Sequence, residues 1–123
     1  MHKPNGTGPM RIIRAARCSW QGIRFAFLHE SAFRQELILC LVLMPLAFWL
    51  TANPVERLML ILPLILLLVV ECLNSAIEAA VDRIGTERHP LSGHAKDLGS
   101  AAVFFCMLIN LLSWLVIGLP KIL

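Results

Sequence analysis

The chain has 123 residues, 58% of them hydrophobic, a mean hydropathy of +0.74 and a net charge of +3. A soluble domain of this size cannot bury so much apolar surface, so the composition points to a single membrane-embedded unit spanning residues 1–123. Cys18, Cys40, Cys72 and Cys106 lie far apart and form no metal-type spacing, so they read as reduced thiols; HExxH, P-loop and protein-kinase motifs are absent.

Met1 to Pro9 is polar, carries two prolines and two glycines, and reads as a loose tail. The first long apolar run begins only at Leu37, so no secretory signal is visible. Between them, Ile13, Ala16, Trp20, Ile23 and Phe27 recur at helical spacing, with Arg11, Arg14, Arg17, Gln21 and Arg24 opposite. This predicts a basic amphipathic helix over 10–28, lying on an anionic membrane surface. A helix packed on a protein core is the plainer reading of the same pattern. A nucleic-acid arm fits poorly, given the apolar spans that follow.

The run from Leu37 to Leu50, with its margins, predicts a first span over about 32–51, interrupted by Pro45. "TANPVER" is the turn, with Asn53 as a helix cap and Pro54 at the first helical position. A second helix is predicted over 55–84, stopped by Gly85. "TERHPLSGHAKD" reads as a polar connector, and 98–119 as the third span. Lysine and arginine cluster before the first span and in 83–97, which places both on the cytosolic side and the C-terminus outside.

Glu71, Asn74, Glu78 and Asp82 stand at i, i+3, i+7 and i+11, on one helix face about 80° wide. A carboxylate at mid-membrane costs roughly 2.5–3.5 kcal/mol on insertion scales. Glu71 lies near the inner edge, with no lysine or arginine one turn away. It therefore needs a cation, a proton or a basic group from elsewhere. Polar glue between helices, or a solvated helix end for Asp82, is the alternative reading. Glu71 and Glu78 are two turns, or about 10.5 Å, apart along the axis and do not easily share one metal ion. Glu78 is suited to a hard cation with Asn74 nearby, while Glu71 stays free as a base. Glu30 and Glu36 are the other acids available on that side. Lys96 is placed to reach phosphates, or is an ordinary cytosolic flank.

The block "ECLNSAIEAAVDRIG", followed by "LSGHAKDLGSAAV" and preceded by "RIIRAARCSWQGIRFAFLHESAFRQE", resembles the small bacterial integral-membrane diacylglycerol kinases over nearly the whole chain. That resemblance implies an all-α homotrimer of the bacterial inner membrane, with a surface helix and three spans per subunit. It implies transfer of the γ-phosphoryl group of ATP, with Mg²⁺, to the primary hydroxyl of diacylglycerol. By the same resemblance Glu71 is the catalytic base, and Glu30 and Glu78 hold the metal. Arg11, Cys18, Glu30, Glu78, Glu87, Arg88, His89, Lys96 and Asp97 contact ATP. Arg11, Trp20, Arg24, Glu71 and Ser100 contact the lipid, and Glu36, Asn74 and Asp82 support the site. The sequence departs from the family pattern at Arg17, Cys18, Pro90 and His94, and in carrying Pro45 and Pro63 within spans. Two other functions compete: a polyprenol (undecaprenol) kinase of the same family, and a small ion- or proton-conducting subunit using the Glu71 face.

Overall fold

The computed structural model describes residues 8–85 and 88–123. The N-terminal tail as far as residue 7 and the ATP-contact candidate Glu87 lie outside the described residues. Every regular element among the described residues is helical.

Helix α1 is Pro9–His29, with a proline in its first turn where the missing N–H is no loss. It ends at Glu30, which is extended (φ −117°, ψ 107°) and is the one residue before α2, Ser31–Leu50. Helix α3 is Pro54–Ile84. Asn53 caps it, its side-chain oxygen accepting from the N–H groups of Val55 at 2.9 Å and Glu56 at 3.1 Å. Gly85 leaves the helix with φ 178°, an extended exit rather than the left-handed cap that glycine often supplies.

Helix α4, Pro90–Ser113, starts inside the stretch read from sequence as a connector. Local chemistry explains the earlier start. Pro90 stands in the first turn, and His89 caps it, Nδ1 accepting from the N–H of Leu91 at 3.1 Å. The chain continues through one π-helical segment, Trp114–Gly118, into a final turn, α5, Leu119–Ile122. Gly118 is buried against Trp114, whose ring a Cβ there would meet at 2.9 Å.

Three stretches are long and apolar enough to cross a membrane: Ser31–Leu50, Pro54–Ile84 and Pro90–Ile122. They pack along two narrow seams. On α3 the buried positions Leu60, Leu64, Leu67 and Glu71 recur at helical spacing, as do Phe33, Glu36, Cys40 and Ala47 on α2. Ala47, Leu60 and Ile61 form the core away from Glu71, flanked by Met44, Trp114 and Ile117. Asn110 of α4 donates to the carbonyl of Pro63 at 2.8 Å, binding α4 to α3 at the proline. At the end far from Glu71, Lys121 pairs with Glu56 at 3.2 Å, and Thr51 donates to the same carboxylate at 2.6 Å. Large side chains such as Ile38, Leu41, Trp49, Phe104 and Phe105 point outward, a surface suited to lipid or to other apolar helices.

Candidate active site

The two seams explain where the acids lie. Each repeats its apolar contacts toward one end of the bundle and then places a glutamate at the next core position. Glu36 is 8% exposed and Glu71 5%; they are the two buried carboxylates among the described residues. Oε1 of Glu36, Oε2 of Glu71 and Oδ1 of Asn74 are buried without a hydrogen-bond partner. An unpartnered buried acceptor is costly, on the order of 1–3 kcal/mol, and persists where function requires it. Glu71 feels the charges of Glu30 at the α1–α2 elbow and of Glu78 on its own helix, and Glu36 on α2 feels that of Glu71. Neither ion pair among the described residues involves any of these four carboxylates.

Asn74 is held by a close approach of α4. Gly99 is buried against it, and a Cβ at Gly99 would collide with Oδ1 of Asn74. Sequence reasoning missed Gly99. Its signal was the small-residue run "GSAA", the composition that lets membrane helices approach closely.

Two cavities flank the acids. One, of about 450 Å³, lies between α1 and α3 and is lined by Gly22, Ala26, Glu30, Cys72, Ser75 and Ala76 among others. The other, of about 750 Å³, lies where α3 turns into α4, and Asp82, Arg88, His89, Ser92, Gly93 and Lys96 line it. Lys96 Nζ reaches Oδ1 of Asp82 at 2.8 Å, an ion pair joining α4 to α3 across that cavity. Arg88, His89 and Lys96 are therefore brought together, with Asp82 as the counter-charge. Arg11, Cys18, Trp20 and Arg24 are exposed along α1, and Asp97 and Ser100 are exposed on α4; none of these six lines either cavity.

Chemically, the arrangement puts a buried carboxylate without an ion pair, Glu71, on the same helix as Glu78 and the Asp82 wall of a basic pocket. Among the described residues no group of three or more His, Cys, Asp or Glu side chains is close enough to hold a metal ion. A two-carboxylate set suits Mg²⁺, which usually takes its remaining ligands from phosphates and water.

The profile of the family described as prokaryotic diacylglycerol kinase matches residues 17–118. The chain belongs to that family. Diacylglycerol kinase of Escherichia coli strain K12 is 49% identical over 113 residues, covering 92% of this chain and 93% of that protein. Diacylglycerol kinase of Pseudomonas aeruginosa is 49% identical over 108 residues, 88% of each chain. That of Haemophilus influenzae is 46% identical over 108 residues, 88% of this chain and 92% of the relative. With its three membrane-length helices, this member of the diacylglycerol kinase family is a membrane protein.

Proposed function

We propose that the protein phosphorylates diacylglycerol, using ATP with Mg²⁺, to give phosphatidic acid. The observation that carries this reading is Glu71: a carboxylate at a core position with no ion pair and with Oε2 unpartnered, on the helix that also carries Glu78 and the Asp82 wall of a basic cavity. Glu71 takes the proton from the lipid's primary hydroxyl as that oxygen bonds the γ-phosphorus. The bond from the γ-phosphorus to the β,γ-bridging oxygen breaks, and ADP leaves. Catalysis of this kind is mainly positioning and charge neutralisation. Glu30 and Glu78 would hold Mg²⁺, which would supply charge neutralisation for the triphosphate. Arg88, His89 and Lys96 receive the phosphates, with Arg11, Cys18, Glu87 and Asp97 completing the nucleotide contacts. Trp20, Arg24 and Ser100 face the lipid, and Glu36, Asn74 and Asp82 support the site.

The working form is a homotrimer in a bacterial inner membrane. Its N-terminus and the α3–α4 turn face the cytoplasm, the C-terminus lies outside, and α1 rests on the inner surface. Nucleic acid has no place in this reading. A conducting subunit is disfavoured because Glu30, Glu36, Glu71, Glu78 and Asp82 lie toward one end of the bundle and Glu56, at the other end, is paired with Lys121.

The deciding experiment offers purified protein labelled ATP with diacylglycerol or with undecaprenol. Label should enter diacylglycerol and require Mg²⁺; label entering undecaprenol alone assigns the sister activity, and label in neither overturns the kinase reading.

The ion pair of Lys96 with Asp82 supplies a second prediction. Lys96→Met should raise the KM for ATP about tenfold or more, the usual loss when a charged donor to phosphate is removed. The swap Asp82→Lys with Lys96→Asp restores the ion pair and keeps the cavity's net charge but moves the cation from α4 to α3, so ATP use should stay impaired if the position of Lys96 matters. Recovery of the ATP KM in the swapped protein would make the pair a structural strut alone.

A further inference from the structure

We propose that Arg34 is a positioning residue: its guanidinium clasps the end of α1 and so sets where Glu30 presents its carboxylate to the metal. This inference rests on the reading of Glu30 and Glu78 as the magnesium ligands.

The elbow between α1 and α2 consists of Glu30 alone. With no loop to absorb error, the direction of α1 follows from the φ and ψ of that one residue. Its backbone is tied both ways: the N–H of Glu30 donates to Ala26 O at 2.8 Å, and Arg34 N donates to Glu30 O at 3.2 Å. Those bonds continue each helix and do not fix the angle between them. The bond that does is a side-chain one. Nη1 of Arg34 turns back across the elbow and donates to the carbonyl of Phe27 at 2.8 Å. Phe27 lies in the last turn of α1, whose carbonyls lack partners within the helix, and a cation there also complements the helix dipole. On the α1 side, His29 stacks on the ring of Phe25, with centroids 4.4 Å apart, which stiffens the same turn.

Packing alone fixes α1 weakly: Ala26 is its one buried residue. The space between α1 and α3 is a cavity of about 450 Å³, with Glu30 on one wall and Cys72, Ser75 and Ala76 on the other. Glu78 follows Ser75 by three residues on α3. A change in ψ at Glu30 that swings α1 about α2 also re-aims the Glu30 side chain, and with it the distance of its carboxylate from α3 and Glu78. Metal held by both carboxylates and closure of the elbow are then thermodynamically linked: each favours the other by the same factor. By position alone Arg34 is one of several cytosolic-flank arginines; its bond to Phe27 gives it this separate task.

The test is a Mg²⁺ titration of lipid kinase activity at saturating ATP and lipid, together with amide hydrogen exchange of the metal-free protein. Arg34→Gln should raise the Mg²⁺ midpoint about fivefold, from loss of one charge-assisted hydrogen bond, with kcat at saturating Mg²⁺ little changed. Exchange at the amides of residues 27–31 should quicken in that variant without metal. Arg34→Lys, which keeps a donor on a shorter fork, should shift both readouts in the same direction by less. In the unaltered protein, Mg²⁺ with a non-hydrolysable ATP analogue should slow exchange at residues 27–31, a measurement that needs no variant. An unmoved Mg²⁺ midpoint in Arg34→Gln, or no slowing at the elbow of the unaltered protein, overturns the proposal. If the unaltered protein shows no Mg²⁺-dependent lipid phosphorylation at all, it is the kinase reading that fails.

Discussion

In the Glu71→Gln protein, lipid phosphorylation is expected to fall roughly 10²- to 10⁴-fold, the range typical for removing a positioned general base. Glutamine keeps the shape of the side chain, so the packing around position 71 survives. What changes is the ability to accept a proton. The fold should not suffer. The native carboxylate is 5% exposed and leaves Oε2 without a partner. An amide in its place removes a buried charge and offers donors toward the unpartnered oxygens of Glu36 and Asn74. The melting temperature should therefore stay level or rise while kcat collapses, and MgATP should still bind. Single-turnover transfer to diacylglycerol, nucleotide binding and thermal unfolding measured on one preparation separate these effects. Transfer within twofold of the unaltered protein would sink the role of Glu71 as base. A matched loss of unfolding temperature would assign the effect to folding instead.

The parts of the architecture governed by local pattern were legible in the chain. Three apolar runs of membrane length are visible as such, and Asn53 with Pro54 announces the start of α3. Each of these signals is read within a single helix and its cap. The start of α4 at Pro90 was hidden because the residues from Ser92 to Asp97 are polar or small. Histidine is also an uncommon cap, although His89 accepts the bond that a serine or aspartate would. The relation of Glu36 to Glu71 was hidden for a different reason. Sequence periodicity puts Glu71 on a face with Glu78 and Asp82, and that face is real. It does not show that Leu60, Leu64 and Leu67 lead onto the same position, or that α2 runs its own seam into Glu36. Which faces meet is a property of packing between helices, and no spacing within either helix encodes it. The same holds for Lys96 with Asp82, and for Arg34 with Phe27 across the elbow.

Gly99→Ala should be the most damaging single methyl group in the site. A Cβ at position 99 would overlap Oδ1 of Asn74, with Cγ next at 3.3 Å. The atom in the way is the tip of a short side chain, so the backbone of α3 need not move. Asn74 must rotate instead, and it leaves the place it holds beside Glu71. Stability should therefore drop by only about 1–3 kcal/mol, the usual range for overpacking. Activity should fall on the order of 10²-fold, because misplacing a site group by about an ångström has that scale of effect. A double-mutant cycle tests the route. If Gly99 acts through Asn74, then Gly99→Ala should cost little further activity in an Asn74→Ala background, a strongly non-additive result expected for groups in contact. Additive losses would mean that the methyl group disturbs α3–α4 packing as a whole, and that Gly99 serves the bundle rather than the carboxylate site.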